Sequence, residues 1–477
     1  MISCELVRQT PKSSLLTDKI SAVAPKRRQQ KGNKTVKHNI MRSIIEKRKR
    51  GITCGIPSYC TANPLVIEAC LQQGVRFNDS ILIEATANQV NQFGGYTGMR
   101  PADFRDMVYE IADRVGFPKS SIILGGDHLG PLTWYNEPEE SAMDKAEAMV
   151  REYVAAGYKK IHLDTSMRLA DDSRTEPLQL STIARRGARL YRACEEEFRK
   201  LFASNPRETP PVYIIGSEVP IPGGEQSRTD AISVTRVEDL HATIEAYQAE
   251  FEAVGMPDAM NHVVGIVVQP GVEFGDENIA RYNRTETVEL CEAVRQYPGL
   301  VMEGHSTDYQ PVFQLREMVD DGIAILKVGP ALTNALREGL FSLSLIESEL
   351  LPEDQQSHFR EVLDQVMVED SGYWRKYYQG TEHELQLKRR YSLSDRCRYY
   401  LQDPRVKQAM ERLFQNIDSV RIPKGLLRQY MPSEYILVRE GMMECSAREL
   451  VKSHIIEVVE EYNYATKCNY TIRHNYY

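Results

Sequence analysis

The middle of the chain repeats one pattern of apolar and polar positions. Short apolar runs end in Gly, Asp, His, Glu or Asn, and a stretch with helical periodicity follows each of them. The runs are 52–56, 80–85, 121–125, 159–163, 212–216, 263–268, 299–303 and 323–328. Strands that alternate with helices predict a parallel sheet, and nearly continuous apolar strands indicate that both of its faces are buried. Eight βα repeats close a barrel, so an α/β fold of the (β/α)8 TIM-barrel class is predicted.

The helical stretches extend this pattern into the C-terminal part of the chain. They lie at about 64–73, 101–116, 139–156, 176–203, 236–255, 284–297, 310–320 and 331–349. Beyond residue 350 the strand rhythm stops, and 351–477 is predicted to be a helical C-terminal appendage. The appendage is rich in aromatic residues: Tyr373, Trp374, Tyr377, Tyr378, Tyr391, Tyr399 and Tyr400. We favour packing of this aromatic cluster onto the barrel over the alternative, a surface for a partner protein.

The first residues of the chain differ in composition from the rest. Residues 1–50 carry 14 Lys or Arg against 3 Asp or Glu, and they contain few large apolar side chains. Such a segment buries too little apolar surface to offset the entropy lost on ordering. Residues 1–40 are therefore predicted to be a disordered basic extension, with the barrel domain covering 41–350. An organelle transit peptide is the alternative, because the segment is basic and poor in acids.

Charge and composition exclude several classes of function. The net charge of −8 repels phosphate backbones, so no nucleic-acid partner is expected. No apolar run reaches the roughly 18 residues of a membrane span, and no apolar signal segment is present near the start. The nine cysteines contain no C-x-x-C pair, which argues against a zinc ribbon and fits reduced thiols. We therefore expect a cytoplasmic protein without a membrane partner.

Candidate chemistry falls after the C-terminal ends of the predicted strands, where barrel enzymes place their active sites. The polar residues there include Ser58, Asn63, Glu84, Asn88, Gln89, Asn91, Asp127, His128, His162, Asp164, Ser166, Glu218, Glu225, Gln269, His305, Ser306, Asp308 and Lys327. Three of the ten histidines (His128, His162 and His305) join carboxylates at this rim, and this combination suits a divalent metal. His162 has a second interpretation, as a side chain that points into the barrel.

Two loops suit a phosphate group. Barrels often hold phosphate with the loops after strands 7 and 8 and a helix N-terminus. Here these loops read Gly304-His305-Ser306-Thr307 and Gly329-Pro330-Ala331, so they supply backbone N–H groups, hydroxyls and a helix start. The alternative is ordinary turn chemistry, with Pro330 opening the last helix of the barrel.

The strings that carry these residues resemble a known family. They are IPSYCTANPLVIEA, ILIEATANQVNQFGGYTGMRPADF, IILGGDHLGP, KIHLDTSM, EVPIPGGE, VVQPGVEF, EGHSTDYQ, AILKVGPALTNALRE and RYSLSDRCRYY. In order and over about residues 41–460, they are similar to the Z-subunit family of tagatose-1,6-bisphosphate aldolase. This resemblance implies an accessory subunit, required for the activity and stability of a catalytic aldolase subunit in galactitol, N-acetylgalactosamine or D-tagatose 6-phosphate catabolism. A sugar-phosphate kinase is unsupported, since the chain has no G-x-x-x-x-G-K-[ST] loop.

The resemblance also implies roles for individual residues. The catalytic subunit is a class II, zinc-dependent aldolase barrel, and this chain looks similar to that site strand by strand. The implied zinc ligands are His128, Glu218 and His305, and the implied acids and bases are Asp127 and Glu218. Asp164, at the end of strand 4, is expected to join them as a catalytic residue. The residues expected to bind the sugar phosphate are Asn88, Gln89, Ser306, Lys327 and Gly329. Strand 6 departs from the pattern, because Gln269 stands where the aldolases have a histidine ligand, and strand 8 reads KVG instead of KVN.

Three hypotheses follow for the function. The first is an accessory subunit that assembles with the catalytic aldolase subunit as an oligomer. The second is an enzyme by itself, a metal-dependent hexulose-phosphate aldolase or 4-epimerase acting on fructose and tagatose phosphates. The third is a Schiff-base aldolase that uses Lys327, which requires burial to depress the pKa of that lysine.

Overall fold

Eight parallel strands form a closed barrel at the centre of the molecule. The structure is a computed structural model, and it describes residues 39–217 and 232–467, which belong to one compact unit. The barrel strands are β1 Ile56–Cys60, β2 Ile81–Thr86, β3 Ile122–Leu129, β4 Lys160–Leu163, β5 Val212–Ile215, β6 Val263–Val268, β7 Val301–Gly304 and β8 Ile323–Val328. They follow one another around the barrel in chain order, and β8 pairs with β1. The predicted (β/α)8 fold is therefore confirmed.

Helices surround this barrel and make up the C-terminal region. Those in the described residues are α1 Ile40–Lys49, α2 Pro64–Phe77, α3 Pro101–Val115, α4 Glu139–Ala155, α5 Leu180–Ser204, α6 Val237–Ala253, α7 Val288–Val294, α8 Val312–Asp321, α9 Pro330–Leu350, α10 Phe359–Glu369, α11 Glu382–Tyr391, α12 Pro404–Ser419, α13 Lys424–Tyr430, α14 Pro432–Arg439 and α15 Ala447–Thr466. A pair of two-residue strands, Glu273–Phe274 and Ile279–Ala280, follows β6. In the described part of the chain, every helix is too short or too polar to cross a bilayer.

The first strand lies four residues later than predicted. The sequence placed it at 52–56, but Ile52 is 44% exposed and β1 is Ile56–Cys60. The sequence pattern did not indicate a strand here because Pro57 lacks the N–H that a strand interior needs. Gly55 sits where a Cβ would lie 2.4 Å from the carbonyl oxygen of Ala324, so the chain enters the barrel closely against β8. Ser58 consequently lies inside the strand and not in the loop after it.

Helix α1 closes the N-terminal end of the barrel. Its apolar face, made by Met41, Ile44 and Ile45, belongs to the cluster that fills the lower barrel interior. Asn39 caps this helix through Oδ1, and its Nδ2 donates to the carbonyl oxygens of Lys159 (2.9 Å) and Pro210 (3.2 Å). The predicted disordered extension falls mainly on residues 1–38, which lie outside the described residues, so it stays a prediction.

Helix α15 brings the C-terminal region into the wall of the barrel. In a regular barrel the outer ring consists of the helices that directly follow the strands. Here α15 takes a place in that ring, because it packs against β1, α2, α8 and α9. At one end of β1, Gly55 N donates to Thr466 O (2.8 Å), and beyond β7, the Tyr462 hydroxyl donates to Thr307 O (2.8 Å). Within the described residues, the region from 351 to 467 is therefore mostly helical, as predicted, and also covers the first strand.

Most of the aromatic cluster packs within the chain. Trp374, Tyr378 and Tyr400 are buried, and Trp374 Nε1 donates to Met367 O. Tyr373 stays partly exposed and stacks on Tyr399, with ring centroids 4.8 Å apart. Packing, rather than a partner surface, accounts for the buried members of the cluster.

Candidate functional site

A cavity of about 100 Å³ opens at the C-terminal ends of the strands, opposite the end that α1 closes. Strands β1, β3 and β8 and the loops after β2 and β7 supply its floor. Predicted site residues that line it are Asn63, Asn88, Gln89, Asp127, His128, His305, Ser306, Asp308, Lys327 and Gly329. The barrel thus brings most of the predicted rim residues into one place.

A network of buried charges lies beneath this floor. Lys160 Nζ is 2.7 Å from Glu84 Oε1 and 2.7 Å from Glu303 Oε2. Lys327 Nζ pairs with Glu84 Oε2 and lies 2.8 Å from Asp127 Oδ2. Burial alone would lower the pKa of Lys160, but the carboxylates of Glu303 and Glu84 raise it above its usual value. The network places two ammonium groups among three carboxylates in the barrel interior.

Glycines make room for this network at the end of β3. A Cβ on Gly125 would lie 2.4 Å from Glu84 Oε1, so the glycine leaves space for that side chain. The strand is irregular between Gly126 and Leu129, and His128 adopts a φ of +48°, which non-glycine residues rarely take. This irregularity turns both Asp127 and His128 toward the cavity.

Three histidines contact three carboxylates at the floor. The pairs are Asp127 Oδ1 with His162 Nδ1 (2.9 Å), Asp164 Oδ2 with His128 Nδ1 (2.9 Å) and Glu303 Oε1 with His305 Nε2 (3.0 Å). An ionised carboxylate can only accept, so His128 Nδ1 and His305 Nε2 are the donors in their pairs. His162 Nδ1 also accepts from the backbone N–H of His128 (3.2 Å). The three imidazole rings have centroids 4.9–5.2 Å apart.

Burial and the neighbouring charges shift the pKa values of these carboxylates and imidazoles in different directions. Burial would raise the pKa of Asp127, but the charges of His128 and Lys327 hold it well below its usual range. Burial would lower the pKa of His128, and the Asp127 and Asp164 carboxylates overcome this and raise it. For His305 burial dominates and lowers the pKa to about 4. His128 is therefore the imidazole that favours the charged form, and His305 is neutral near pH 7.

Two groups of described side chains could hold a divalent metal, and the one with two imidazoles is the better candidate, because Cys60, Glu84 and Asp127 of the other surround Lys327. Asp127, His162, Glu303 and His305 offer ligand atoms that all lie within 4.8 Å of one another. Two imidazoles and two carboxylates are a donor set that suits zinc. His162 Nε2 supports this fit, because it is a buried nitrogen without a hydrogen-bond partner in the described structure. The residues present therefore fit a divalent metal.

This group differs from the predicted ligands. His305 belongs to both sets, whereas His128 directs Nδ1 to Asp164, and Glu218 and Glu225 lie outside the described residues. Glu303 was missed because it is the last residue of an apolar run. A signal was available, since Glu303 stands two residues before His305 and side chains two apart on a strand share a face.

Several other predicted rim residues have structural partners. Asp164 is buried and also accepts from Ser166 N and Oγ, so it lies behind His128. Asn91 Oδ1 accepts from Phe93 N and Gly95 N, which holds the turn after β2. Gln269 Oε1 accepts from Gly271 N and Val272 N in a turn after β6.

The N-terminus of α9 carries a carboxylate of the chain itself. Asp308 Oδ1 accepts from Gly329 N (3.0 Å) and Ala331 N (2.8 Å). Burial raises the pKa of Asp308 to about 6, against the lowering effect of these two hydrogen bonds. Two of the backbone donors expected to bind phosphate are thus already bonded to Asp308. Gly329 still lines the cavity, and its role toward a sugar phosphate stays a prediction.

The Schiff-base hypothesis does not fit Lys327. Burial lowers its pKa, but Asp127, Cys60 and Glu84 outweigh burial and raise it well above the usual value. A lysine nucleophile needs the opposite shift, because only the neutral amine attacks a carbonyl. Lys327 therefore acts as a fixed positive charge at the cavity floor.

The C-terminal region adds a wall to the cavity that sequence reasoning missed. Its members are Arg398, Tyr399, Leu401 and Gln402, which follow α11. They come from the string RYSLSDRCRYY, which the resemblance included without assigning it a role. Only the fold shows that this string, more than 60 residues after β8, faces the barrel mouth.

Comparisons with known proteins agree on one family. The family model described as "D-tagatose-1,6-bisphosphate aldolase subunit GatZ/KbaZ-like" matches residues 41–467. D-tagatose-1,6-bisphosphate aldolase subunit GatZ of Salmonella dublin is 46% identical over 424 residues, 89% of this chain and 98% of that protein. The Klebsiella pneumoniae subunit of the same name is 47% identical over the same shares. A crystal structure of a probable tagatose 6 phosphate kinase from Sinorhizobium meliloti superposes with a TM-score of 0.78 at 44% identity, covering 86% of this chain and 100% of that one.

Proposed function

Because the chain belongs to the D-tagatose-1,6-bisphosphate aldolase subunit GatZ/KbaZ-like family, we propose that it is a cytoplasmic subunit of a D-tagatose-1,6-bisphosphate aldolase. Its role is to support the activity and stability of a separate catalytic subunit in the breakdown of a sugar phosphate. The observation that carries this proposal is the extent of the match, since the relatives named GatZ align over 98% of their length. That alignment spans the barrel and the C-terminal helices together.

The cavity suits a sugar-phosphate ligand in this role. Asp127, His128 and Lys327 present charged and hydrogen-bonding groups to it from the floor, and Asn88 and Gln89 from its side. A divalent metal held by the Asp127 group of ligands would supply Lewis-acid polarisation of a ketose oxygen when bound. The chain's own contribution is to fix the imidazoles through their carboxylate partners and to keep Lys327 charged.

The partner dependence can be tested directly. The chain, a catalytic aldolase subunit from the same organism, and their mixture are each offered tagatose 1,6-bisphosphate in the presence of Zn²⁺ or Mn²⁺. We expect cleavage to rise, and the catalytic subunit to melt at a higher temperature, only in the mixture. Turnover of fructose 6-phosphate or tagatose 1,6-bisphosphate by the chain alone would instead establish the 4-epimerase or aldolase alternative.

Measuring the zinc bound by histidine variants distinguishes the two candidate sets of metal ligands. We expect His162→Gln and His305→Gln to lose bound zinc after dialysis against a weak chelator, because each removes a donor of the cluster. His128→Ala separates the two ligand sets, since retained zinc supports the Asp127, His162, Glu303 and His305 set. His383→Gln, at an exposed position on α11, is the matched control. Equal zinc content in all four variants and the wild type would contradict a site at the barrel mouth.

A further inference from the structure

The wall that the C-terminal region adds to the cavity is cationic. Arg398 is partly buried there, and its position is fixed by its own segment. Nη1 donates to the carbonyl oxygens of Ser394 (2.6 Å) and Asp395 (2.7 Å), and Nη2 donates to the Tyr399 hydroxyl (3.2 Å). A guanidinium that is held in this way is preorganised for a ligand in the cavity.

Arg398 forms no direct ion pair with a carboxylate of the described ranges, although the charges of Asp395 and Asp308 act on it from farther away. Its hydrogen bonds go to neutral oxygens, and no described carboxylate oxygen lies within 4.0 Å of its nitrogens. The acid nearest to it in sequence, Asp395, is bonded to Arg337 and to Thr333 Oγ1 instead. A partly buried cation of this kind favours an anionic ligand, and a guanidinium matches the geometry of phosphate oxygens.

A neighbouring tyrosine reports a positive potential at the same wall. Burial would raise the pKa of Tyr399, yet Arg398 and Arg396 lower it below its usual value. The Arg396 guanidinium lies 5.9 Å from the Tyr399 ring, and the Arg398 guanidinium lies 4.6 Å from it. Tyr96, from the loop after β2, lines the cavity and packs against the same ring at 4.9 Å.

The other candidate anion site of the cavity is closed. At the N-terminus of α9, Asp308 accepts the N–H groups of Gly329 and Ala331. A phosphate placed there would meet a carboxylate of the chain. Of these two places, the cationic wall is therefore the one that suits an anion.

We propose that Arg398 binds the phosphate group of a ketose phosphate in this cavity, with the sugar directed toward Asp127, His128 and Lys327. The inference goes beyond an accessory role, because it gives this chain a ligand site of its own. It rests on the proposed function only for the class of sugar, and it makes the C-terminal region part of the ligand site.

Binding to the full chain, without a partner subunit, tests the proposal. Isothermal titration calorimetry uses fructose 6-phosphate, fructose and inorganic phosphate as probes. We expect fructose 6-phosphate to bind about tenfold or more tighter than fructose, and inorganic phosphate to compete with it. The Arg398→Met substitution should weaken the binding of fructose 6-phosphate by about tenfold or more, and Arg398→Lys should weaken it by less. Arg421→Met, at an exposed position, is the control that should bind as the wild type does.

Three results would overturn the proposal. They are no binding of fructose 6-phosphate to the wild type, no competition by inorganic phosphate, or undiminished binding by a folded Arg398→Met variant. Circular dichroism will show whether that variant folds. If it does not, the competition between inorganic phosphate and fructose 6-phosphate for the wild type tests the proposal by itself. Failure of the chain to stimulate a catalytic subunit, with phosphate binding intact, would count against the proposed function and leave this site standing.

Discussion

At the scale of single residues, Lys160 is the clearest case of a side chain whose charge neutralises buried carboxylates around it. It is fully buried and lies between Glu84 and Glu303, whose carboxylates it neutralises. Removing one partner of a buried ion pair leaves an uncompensated charge, which costs far more than the pair contributes. The position is therefore a sensitive test of the charge network under the cavity.

Lys160→Met should lower the free energy of unfolding by about 3–5 kcal/mol, because two carboxylates would stay buried without their shared cation. Urea unfolding followed by circular dichroism measures the change. The matched control is Lys424→Met, at an exposed position on α13, which should stay within about 0.5 kcal/mol of the wild type. Equal stability of the two variants would show that the network is not arranged as described.

Asp308 gives a prediction for pH. Its pKa is raised from 3.8 to about 6, so the folded state binds its proton more tightly than the unfolded state does. The stability that this group contributes is present below about pH 3.8 and is lost as the pH rises through about 6. Asp308→Asn removes the titration and keeps an acceptor for Gly329 N and Ala331 N.

Relative to this variant, the wild type should lose about 2 kcal/mol of unfolding free energy between pH 4 and pH 7. The contributions of the other titrating groups to the pH dependence of stability cancel in this comparison, because both proteins share those groups. Urea titrations of both proteins across this range provide the measurement. A difference that is flat with pH, or that grows in favour of the wild type, would contradict the buried position of Asp308.

At the scale of elements, the end of β3 depends on a close approach of two backbones. A Cβ on Gly130 would lie 1.6 Å from the carbonyl oxygen of Asp164, which follows β4. Because the nearest atom belongs to the backbone, a side chain cannot be accommodated by a rotamer change. Asp164 also positions His128, so the approach links the local packing to the cavity.

Gly130→Ala should therefore destabilise the protein by about 3 kcal/mol or more, beyond ordinary overpacking, and should disturb the floor of the cavity. Thermal unfolding measures the first effect. Gly425→Ala is the matched control, because a Cβ at that position of α13 meets nothing within 4 Å and alanine favours a helix. If both variants melt at the wild-type temperature, the two strands are farther apart than described.

The elements also show which features a sequence can reveal. Strands β2 to β8 were predictable because each is an apolar run followed by a helix, and Asp127 and His128 stood out after such a run. Strand β1 was misplaced because of Pro57. Lys160 and Glu303 were missed because a polar residue inside an apolar run does not indicate which side chains of other strands it contacts inside the barrel. Arg398 was missed because its neighbours in the cavity are distant in sequence.

At the scale of the whole molecule, the barrel and the C-terminal region share their packing. Helix α15 lies against β1 and the outer helices, and Arg398 and Tyr399 face the barrel mouth. Two such parts should unfold together, because neither can separate without exposing the apolar surface of the other. The chain contains only two tryptophans, and each part holds one of them.

Trp134 follows β3 and Trp374 lies in the C-terminal region, and both are buried. In the single-tryptophan variants Trp134→Phe and Trp374→Phe, fluorescence reports one part at a time. We expect the fluorescence transition in urea to coincide with the circular dichroism transition in each variant. Fluorescence transitions that precede or follow the loss of helix would show that the C-terminal region is an independent domain.

The place of α15 in the outer ring also has a consequence for biosynthesis. All eight strands leave the ribosome before the helix that covers the first of them, and before the segment that carries Arg398. A nascent chain that ends near residue 350 thus has an exposed face on β1 and an incomplete cavity. Folding during translation therefore leaves the outer face of β1 uncovered until α15 has been synthesised.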